Sequence, residues 1–493
     1  MVSEMKRLAV IGGGIAGLAA AFYASRRFGE RANITLFERE DYWGGKIITE
    51  RVDGFVIEGG PDTFLASKPW AVQLCHDLGM VDRLRGTNPN QKTTYILHRD
   101  RLHPLPGGLT MMIPTRFGEI LRSELISWSG KLRMGLEYLL PPAATNRDES
   151  IGHFVSRRLG RQAYEGLIEP LMSAIYAGDG DRLSVSATFP YLRELEQRYG
   201  GLIKGALVAR TKQAVKSAAD VSLQRGQTPV QGGFARLDTP GSRSLFLTPE
   251  EGLGEIVDNL VAWLKRQEVD MCPGSTVIGI EKLESGYRLI DHFGQLLDAE
   301  AVILAVPAFS AADLLQAIHP QLAGELRAIE YISTATVSLA FNEADLPRPL
   351  DGYGYVIPRR EGRVALACTW TSTKFPHRAP RGKVLVRVFI GRAGQEGAIA
   401  WDEKSMLAIA RAEVQETLGL SASPLLTRVH IWEKAMPQYN VGHLARLQRI
   451  NTLLLELPDL ALAGNAYQGI GLPDCIHSGE QAVGRVAPVF QEK

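Results

Sequence analysis

The stretch KRLAVIGGGIAGLAAAFYASRR, Lys6 to Arg27, decides the fold. Leu8 to Ile11 form an apolar run of strand length, Gly12, Gly14 and Gly17 follow in G-x-G-x-x-G spacing, and an alanine-rich helical pattern continues from them. The spacing has a mechanism: Gly12 permits a tight turn, Gly14 lets backbone approach a pyrophosphate, and Gly17 lets the helix pack closely on the strand. The phosphates would rest on the helix N-terminus. A glycine turn used only for packing is the alternative, but it does not account for the next strand, ITLFERE, which ends in Glu38 about 20 residues on, where a ribose-binding acid belongs.

The chain repeats the device near its other end. AGNAYQGIGLPDCIHSGEQAV, Ala463 to Val483, again reads as strand end, glycine-rich turn and helix. Between the two, 493 residues exceed what one hydrophobic core usually supports, so two or three substructures woven from separate segments are expected. Hydrophobic content of 45% and charged content of 22% are those of a globular protein. A formal net charge of +1 supplies no bulk attraction to nucleic acid, and no nucleic-acid partner is expected. Cys75, Cys272, Cys368 and Cys475 form no C-x-x-C pair, which removes zinc knuckles and dithiol redox chemistry from consideration and leaves no expected metal. The opening MVSEMKRLAVIGGG has no apolar leader, and no apolar run reaches bilayer length, so a cytoplasmic location is expected.

After Glu38 comes DYWGGKIITERVDGFVIEGGPDTF, with glycine pairs at Gly44–Gly45 and Gly59–Gly60. This extension resembles the FAD-dependent amine oxidase and desaturase superfamily, in which the GG-[RK] and later G-P segments run beside the flavin. The resemblance, rather than spacing, implies FAD as cofactor. It implies Glu38 on the adenosine ribose, Arg39, Gly45 and Lys46 along the pyrophosphate and ribityl chain, Gly60 beside the flavin, and Val277 offering backbone to the adenine. It also implies Gly464 and Asn465 at the ribityl chain, and Gly471, Pro473 and Ile476 against the isoalloxazine. Many relatives carry an acid near Asn465, which is a departure here. The two glycine-rich ends would thus serve one FAD.

The expected fold is α/β: a Rossmann-like FAD-binding domain (1–75, 246–305 and 432–493), an antiparallel-sheet substrate-binding domain (76–92, 190–245 and 306–431) and a helical subdomain (93–189). Tyr331 to Arg392 hold the alternating strands ATVSLAFN, GYGYVIPRR, VALACTWTS and GKVLVRVFIGRAG. Met111 to Leu140 read as mostly helical, broken by Pro114. Within them, SELISWSGKLRMGLEYLLPP mixes Trp128, Leu132, Leu136 and Leu139 with Lys131 and Arg133. That pattern suits either a helix packed on its neighbours or an interfacial one lying on a membrane surface.

Longer stretches sharpen the likeness. GPDTFLASKPWAVQLCHDLGM, EPLMSAIYAGDGDRL, KFPHRAP, MPQYNVGH and GIGLPDCI are similar to oxygen-dependent porphyrinogen oxidases of haem biosynthesis, over essentially the full length. The nearest type is that of Gram-positive bacteria, which oxidises coproporphyrinogen III and can often accept protoporphyrinogen IX. The resemblance implies a Gly178 carbonyl facing a pyrrole N–H, Asp62 and Lys68 beside the macrocycle, and aromatic cavity walls from Tyr355 and Phe389. No catalytic acid–base residue is named, because the flavin carries the chemistry. Partners implied are the porphyrinogen, oxygen, a transient contact with ferrochelatase and a peripheral contact with the inner face of the membrane. An amine oxidase, a carotenoid desaturase or a non-catalytic FAD-binding scaffold would share the fold and differ in what reduces the flavin.

Overall fold

The computed structural model describes residues 5–107, 109–110, 113–114, 117–143, 147–208 and 244–491. Residues 209–243 of the expected substrate-binding segment and residues 111, 112, 115 and 116 of the expected helical run lie outside them.

Twelve strands make the two large sheets. In chain order they are β1 (Lys6–Ile11), β2 (Ala32–Phe37), β3 (Thr94–His98), β4 (Arg101–Pro104), β5 (Asp270–Cys272), β6 (Ala301–Leu304), β7 (Tyr331–Asn342), β8 (Gly354–Val356), β9 (Ala365–Trp370), β10 (Lys383–Ile390), β11 (Leu426–Pro437) and β12 (Leu460–Leu462). Five helices frame the argument: α1 (Ile15–Phe28), α2 (Trp128–Gly135), α3 (Glu169–Tyr176), α4 (Glu403–Leu418) and α5 (Leu472–Val486).

The first sheet has the order β5-β2-β1-β6-β12 and is parallel throughout. Its strands come from the beginning, middle and end of the chain, so the woven arrangement expected from the sequence is present. Covered on both faces, its central strands are continuous apolar runs rather than alternating ones, and Leu8 to Val10 are fully buried. Helix α1 crosses from β1 to β2 and α5 packs beside it. The contact depends on small residues, since a Cβ at Gly479 of α5 would run into the Ala16 carbonyl of α1.

The second sheet has the order β11-β7-β10-β9-β8-β3-β4, antiparallel except where β8 runs parallel to β3. Period-two alternation divides its residues between two faces. Ala335, Val337, Leu339 and Phe341 of β7 and Val384, Val386, Val388 and Ile390 of β10 pack with Met406, Ala410 and Val414 of α4. Thr336, Arg387 and Phe389 therefore point the other way, toward the glycine-rich segments that follow β2.

The segment between Thr94 and Tyr199 is largely helical, as expected, but opens with the β3–β4 hairpin. The Leu109–Thr110 and Ile113–Pro114 strands pair where the sequence pattern suggests helix. Pro114 forbids a helix interior there. No helix among the described residues is long and apolar enough to cross a membrane.

Candidate functional site

The turn after β1 is the first component. Gly12 has φ +108°, a conformation that side chains disfavour, and its N–H donates to the Phe37 carbonyl at 2.8 Å. A Cβ at Gly17 would collide with the Gly12 carbonyl, which is the close helix–strand packing expected of that position. A Cβ at Gly14 would meet no atom within 4 Å, and the N-terminus of α1 carries no side-chain cap. Space and N–H groups at a positive helix end together make a phosphate cradle.

Glu38 ends β2 and is buried. Its carboxylate accepts from the Gly13 N–H at 2.6 Å and the Glu40 N–H at 2.9 Å, so it is aimed back over the turn. Gly274 and Ser275 donate backbone N–H groups at 2.8 Å to the Glu40 and Glu38 carbonyls, which brings the segment leading into Val277 alongside Glu38. Val277 itself is buried. Arg39 behaves otherwise: its side chain is 73% exposed and pairs with Glu40 at 2.9 Å, pointing into solvent rather than along the turn.

Gly44 donates to the Gly13 carbonyl at 2.9 Å, and Gly45 lies against Gly14. Lys46 crosses to the other sheet, donating from Nζ to the Ala435 carbonyl at 2.8 Å. Desolvation holds its pKa below the usual lysine value, with Cys475 acting the other way. Gly60 is packed so tightly on Lys46 that a Cβ would strike the Lys46 carbonyl. On its other side Arg387 donates to the Gly60 carbonyl, while Thr336 Oγ1 (2.8 Å) and Trp432 Nε1 (2.9 Å) donate to Gly59. The 59–60 segment is thus clamped between the two sheets.

The C-terminal turn arrives at the same edge. Ala463 extends β12 by donating to the Leu304 carbonyl at 2.9 Å, just as Ala305 donates to Ile11 at 2.8 Å beside it. Gly464 follows with φ +124°, its N–H bonded to Ser478 Oγ at 3.0 Å and no atom within 4 Å of a Cβ. The Asn465 carbonyl accepts from the buried Tyr439 hydroxyl at 2.6 Å. Gly471 caps α5, its N–H donated to Asp474 at 3.3 Å, with Pro473 and Ile476 buried in the first turn. Open positions at Gly14 and Gly464, a buried acid at Glu38 and the uncapped start of α1 fit an FAD lying across this edge.

Among the substrate candidates, Lys68 Nζ lies 2.6 Å from both carboxylate oxygens of Asp474, tying its loop to the start of α5. Gly178 follows Ala177, which is left-handed at φ +49°. The Gly178 carbonyl accepts from Arg359 Nη2 at 3.4 Å, and a Cβ there would run into Gln438. Gln438 also lines a cleft of about 360 Å³ with Asp181, Arg182, Glu330 and Asn440. Asp62 bonds Lys374 Nζ at 3.1 Å. Burial alone would raise its pKa, but the Lys374 and Arg387 charges outweigh it and bring it to about 2.

Phe389 stands on the face of β10 that looks toward Gly59–Gly60, with the Arg387 guanidinium 4.8 Å from its ring. Tyr355 does not join it. Its hydroxyl donates to Glu413 of α4 at 2.9 Å and its ring sits in the core on the far side of the sheet. The expectation of a cavity wall there is corrected by strand parity: Tyr355 pairs with Cys368, whose side chain belongs to the α4 face. Arg387, Lys374, His430 and Trp432 were not singled out from sequence. The signal lay in the alternation of VLVRVFI and TRVHIWEK, where a charged or aromatic residue falls on one face of an otherwise apolar strand.

Comparison with known proteins agrees with this geometry. Residues 15–487 match the family model for flavin containing amine oxidoreductases. The chain is 36% identical over 487 residues to the coproporphyrinogen III oxidase of Bacillus subtilis, covering 98% of each chain. It is 31% identical to the chloroplastic protoporphyrinogen oxidase 1 of Arabidopsis thaliana, over 95% of this chain and 85% of that one. Among solved structures, a candidate protoporphyrinogen oxidase from Exiguobacterium sp. 255-15 superposes with a TM-score of 0.82 at 31% identity, over 98% and 99% of the two chains. The chain belongs to the flavin containing amine oxidoreductase family, and the glycine-rich edge where its two ends meet is where that flavin fits.

Proposed function

We propose that the protein is an oxygen-dependent coproporphyrinogen III oxidase, taking six hydrogens from the macrocycle in three two-electron steps and forming three hydrogen peroxide molecules. The observation that carries this reading is the end-to-end likeness to the Bacillus subtilis coproporphyrinogen III oxidase. FAD supplies hydride acceptance and return of the electrons to oxygen. The chain's own contribution is to bind and orient. Phe389 offers an aromatic face, Lys68 and Asp62 offer charge near the macrocycle edge, and the Gly178 carbonyl offers an acceptor for a pyrrole N–H. The start of α5 offers positive dipole to the electron-rich end of the flavin. Oxygen-electrode and peroxide assays with coproporphyrinogen III test it: three oxygens consumed per porphyrin formed supports the reading, and no consumption above autoxidation rejects it.

A second reading, protoporphyrinogen IX oxidation, is favoured by the likeness to the Arabidopsis enzyme. The division into an FAD-binding domain, a substrate-binding domain and a helical subdomain at the boundaries given above belongs to the same proposal. Sheet composition supports it, since the parallel sheet draws only on the FAD-binding segments.

The proposal includes a cytoplasmic location with a peripheral contact on the inner face of the membrane. The support is α2 and the turn after it, where Trp128, Leu132 and Leu139 are 67%, 72% and 77% exposed. Lys131 lies 4.5 Å from the Trp128 ring and Lys204 4.7 Å from the Tyr138 ring, so cations flank the apolar strip as an anionic surface requires. Flotation with anionic vesicles tests it: binding by the wild type and loss in Leu132→Glu/Leu139→Glu support it, and equal flotation of both or of neither rejects it. Hand-over of the product to a ferrochelatase completes the proposal on chemical grounds, since the oxidised macrocycle is the form that accepts iron.

A further inference from the structure

Gln438 is a buried polar side chain on the common wall of two clefts. The cleft of about 360 Å³ described above adjoins a second of about 320 Å³, and Gln438, Asn440, Arg182 and Glu330 line both. Arg182 and Glu330 pair at 2.7 Å, and with each side chain more than half exposed the pair is weak enough to open. Ile332 also lines the second cleft. It stands opposite Met436 across β7 and β11, in the apolar cluster that Phe389 and Ile470 join. Tyr439, the residue after Gln438, donates its hydroxyl to the Asn465 carbonyl at 2.6 Å and accepts from the Gly469 N–H at 2.9 Å. The groove therefore runs up to the C-terminal turn proposed to receive the flavin.

Chemistry fixes which way the Gln438 amide faces. Its Nε2 lies 3.2 Å from the Tyr176 carbonyl at the end of α3 and 3.2 Å from the Met436 carbonyl. A carbonyl only accepts, so the NH2 group faces both and spends its two donors there. Oε1 is left beside Gly178, where a Cβ would run into it. Nothing among the described residues donates to Oε1, and it opens onto the clefts that Gln438 lines. Asp179 and Glu396 add further acceptors to the second cleft, while its one cation, Arg182, is engaged by Glu330. Such a wall suits a guest that offers N–H groups and turns carboxylates away.

We propose that Gln438 Oε1 is a substrate-recognition acceptor for pyrrole N–H groups and that it selects the reduced macrocycle over the oxidised one. The inference rests on the porphyrinogen reading. A porphyrinogen carries four pyrrole N–H donors, because each nitrogen lone pair is spent within its own ring. The oxidised porphyrin keeps two N–H groups and gains two imine nitrogens, which are acceptors. A fixed oxygen thus bonds the substrate and meets a lone pair at half of the product's nitrogens. An amide tied at two points loses little rotamer freedom when the guest arrives, so the bond is made without an ordering cost. The propionates point away from this wall, and the macrocycle meets it with its N–H face.

The test compares the wild-type holoenzyme with Gln438→Met and Gln438→Glu, measuring kcat and KM for coproporphyrinogen III and the inhibition constant of coproporphyrin III. Gln438→Met, close in size and without an acceptor, is expected to raise KM about 3- to 10-fold, the worth of one hydrogen bond, while kcat and the inhibition constant stay within about twofold. Gln438→Glu keeps an acceptor and loses the donors to Tyr176 and Met436, so its KM stays near the wild-type value even where thermal stability falls. An equal rise in KM in both variants makes Gln438 a structural anchor and overturns the proposal. Wild-type KM in Gln438→Met, or a change in kcat alone, overturns it too. Where Gln438→Met does not retain flavin, a crystal structure of the dithionite-reduced wild type with coproporphyrinogen III, prepared without oxygen, decides. A pyrrole nitrogen about 3 Å from Gln438 Oε1 supports the proposal, and a propionate there, or no macrocycle atom at all, overturns it. A wild type that does not oxidise coproporphyrinogen III overturns the underlying enzyme reading instead.

Discussion

Gly479 of α5 sits directly on the Ala16 carbonyl of α1, with no room for a Cβ between them. That contact joins residues more than 400 positions apart in sequence, and it sets the distance between the two glycine turns proposed to receive the flavin. Gly479→Val is expected to push α5 away from α1, lowering thermal stability and flavin content together. Because the atom met is backbone, a cost of about 1–3 kcal/mol is expected. Calorimetry and the flavin-to-protein absorbance ratio check it, and full flavin occupancy would contradict it.

Glu38 is held over the Gly12–Gly14 turn by two backbone N–H donors. Glu38→Ala is expected to weaken FAD binding by about 10- to 100-fold, the loss of a buried charge-assisted hydrogen bond or two. Flavin release on dilution measures it.

Tyr355 was expected in the cavity and lies instead against α4, bonded to Glu413. Tyr355→Phe is therefore expected to cost about 1–2 kcal/mol in stability, by leaving a buried carboxylate oxygen with one donor fewer, while kcat and KM stay at wild-type values. A changed KM would return the residue to the cavity.

Asp474 bonds the Gly471 N–H and Lys68 across the start of α5. Asp474→Ala removes both, with an expected cost of about 1 kcal/mol for the cap. The ion pair adds little, since Lys68 is more than a third exposed and solvent screens it. A thermal scan at low and high salt separates the two: most of the loss persists in salt.

His377 is kept neutral by burial, with Arg378 beside it adding to the effect, and its pKa falls from 6.5 to about 4. Between those values the unfolded chain binds a proton that the folded chain does not, so stability falls as pH drops from about 6.5 toward 4. His377→Gln is expected to flatten that part of the curve, which thermal scans at pH 7 and pH 5 will show.

How legible all this was in the sequence follows the range of the interactions involved. The first glycine turn and Glu38 were readable because β1, α1 and β2 are consecutive and each glycine's role depends on neighbours within a few residues. The meeting of the two ends was legible only through resemblance, since Ala463 reaches Leu304 and Ile11 through a shared sheet edge that no local pattern reveals. Tyr355 was placed in the cavity by likeness to related enzymes, and its face is set by pairing with Cys368, which in turn pairs with Val388 of the α4 face, neighbours that no local pattern around Tyr355 reveals. Arg39, which the resemblance put along the pyrophosphate and ribityl chain, turns to solvent, where Glu40 satisfies it. Lys374 was invisible because its partner Asp62 lies 312 residues away.

The most direct test of the central claim is porphyrin fluorescence on adding the flavin-loaded protein, in air, to freshly reduced coproporphyrinogen III and separately to protoporphyrinogen IX. The account predicts rapid formation of coproporphyrin III and a slower response to protoporphyrinogen IX. No acceleration over autoxidation with either would contradict it, leaving the flavin fold without the proposed substrate.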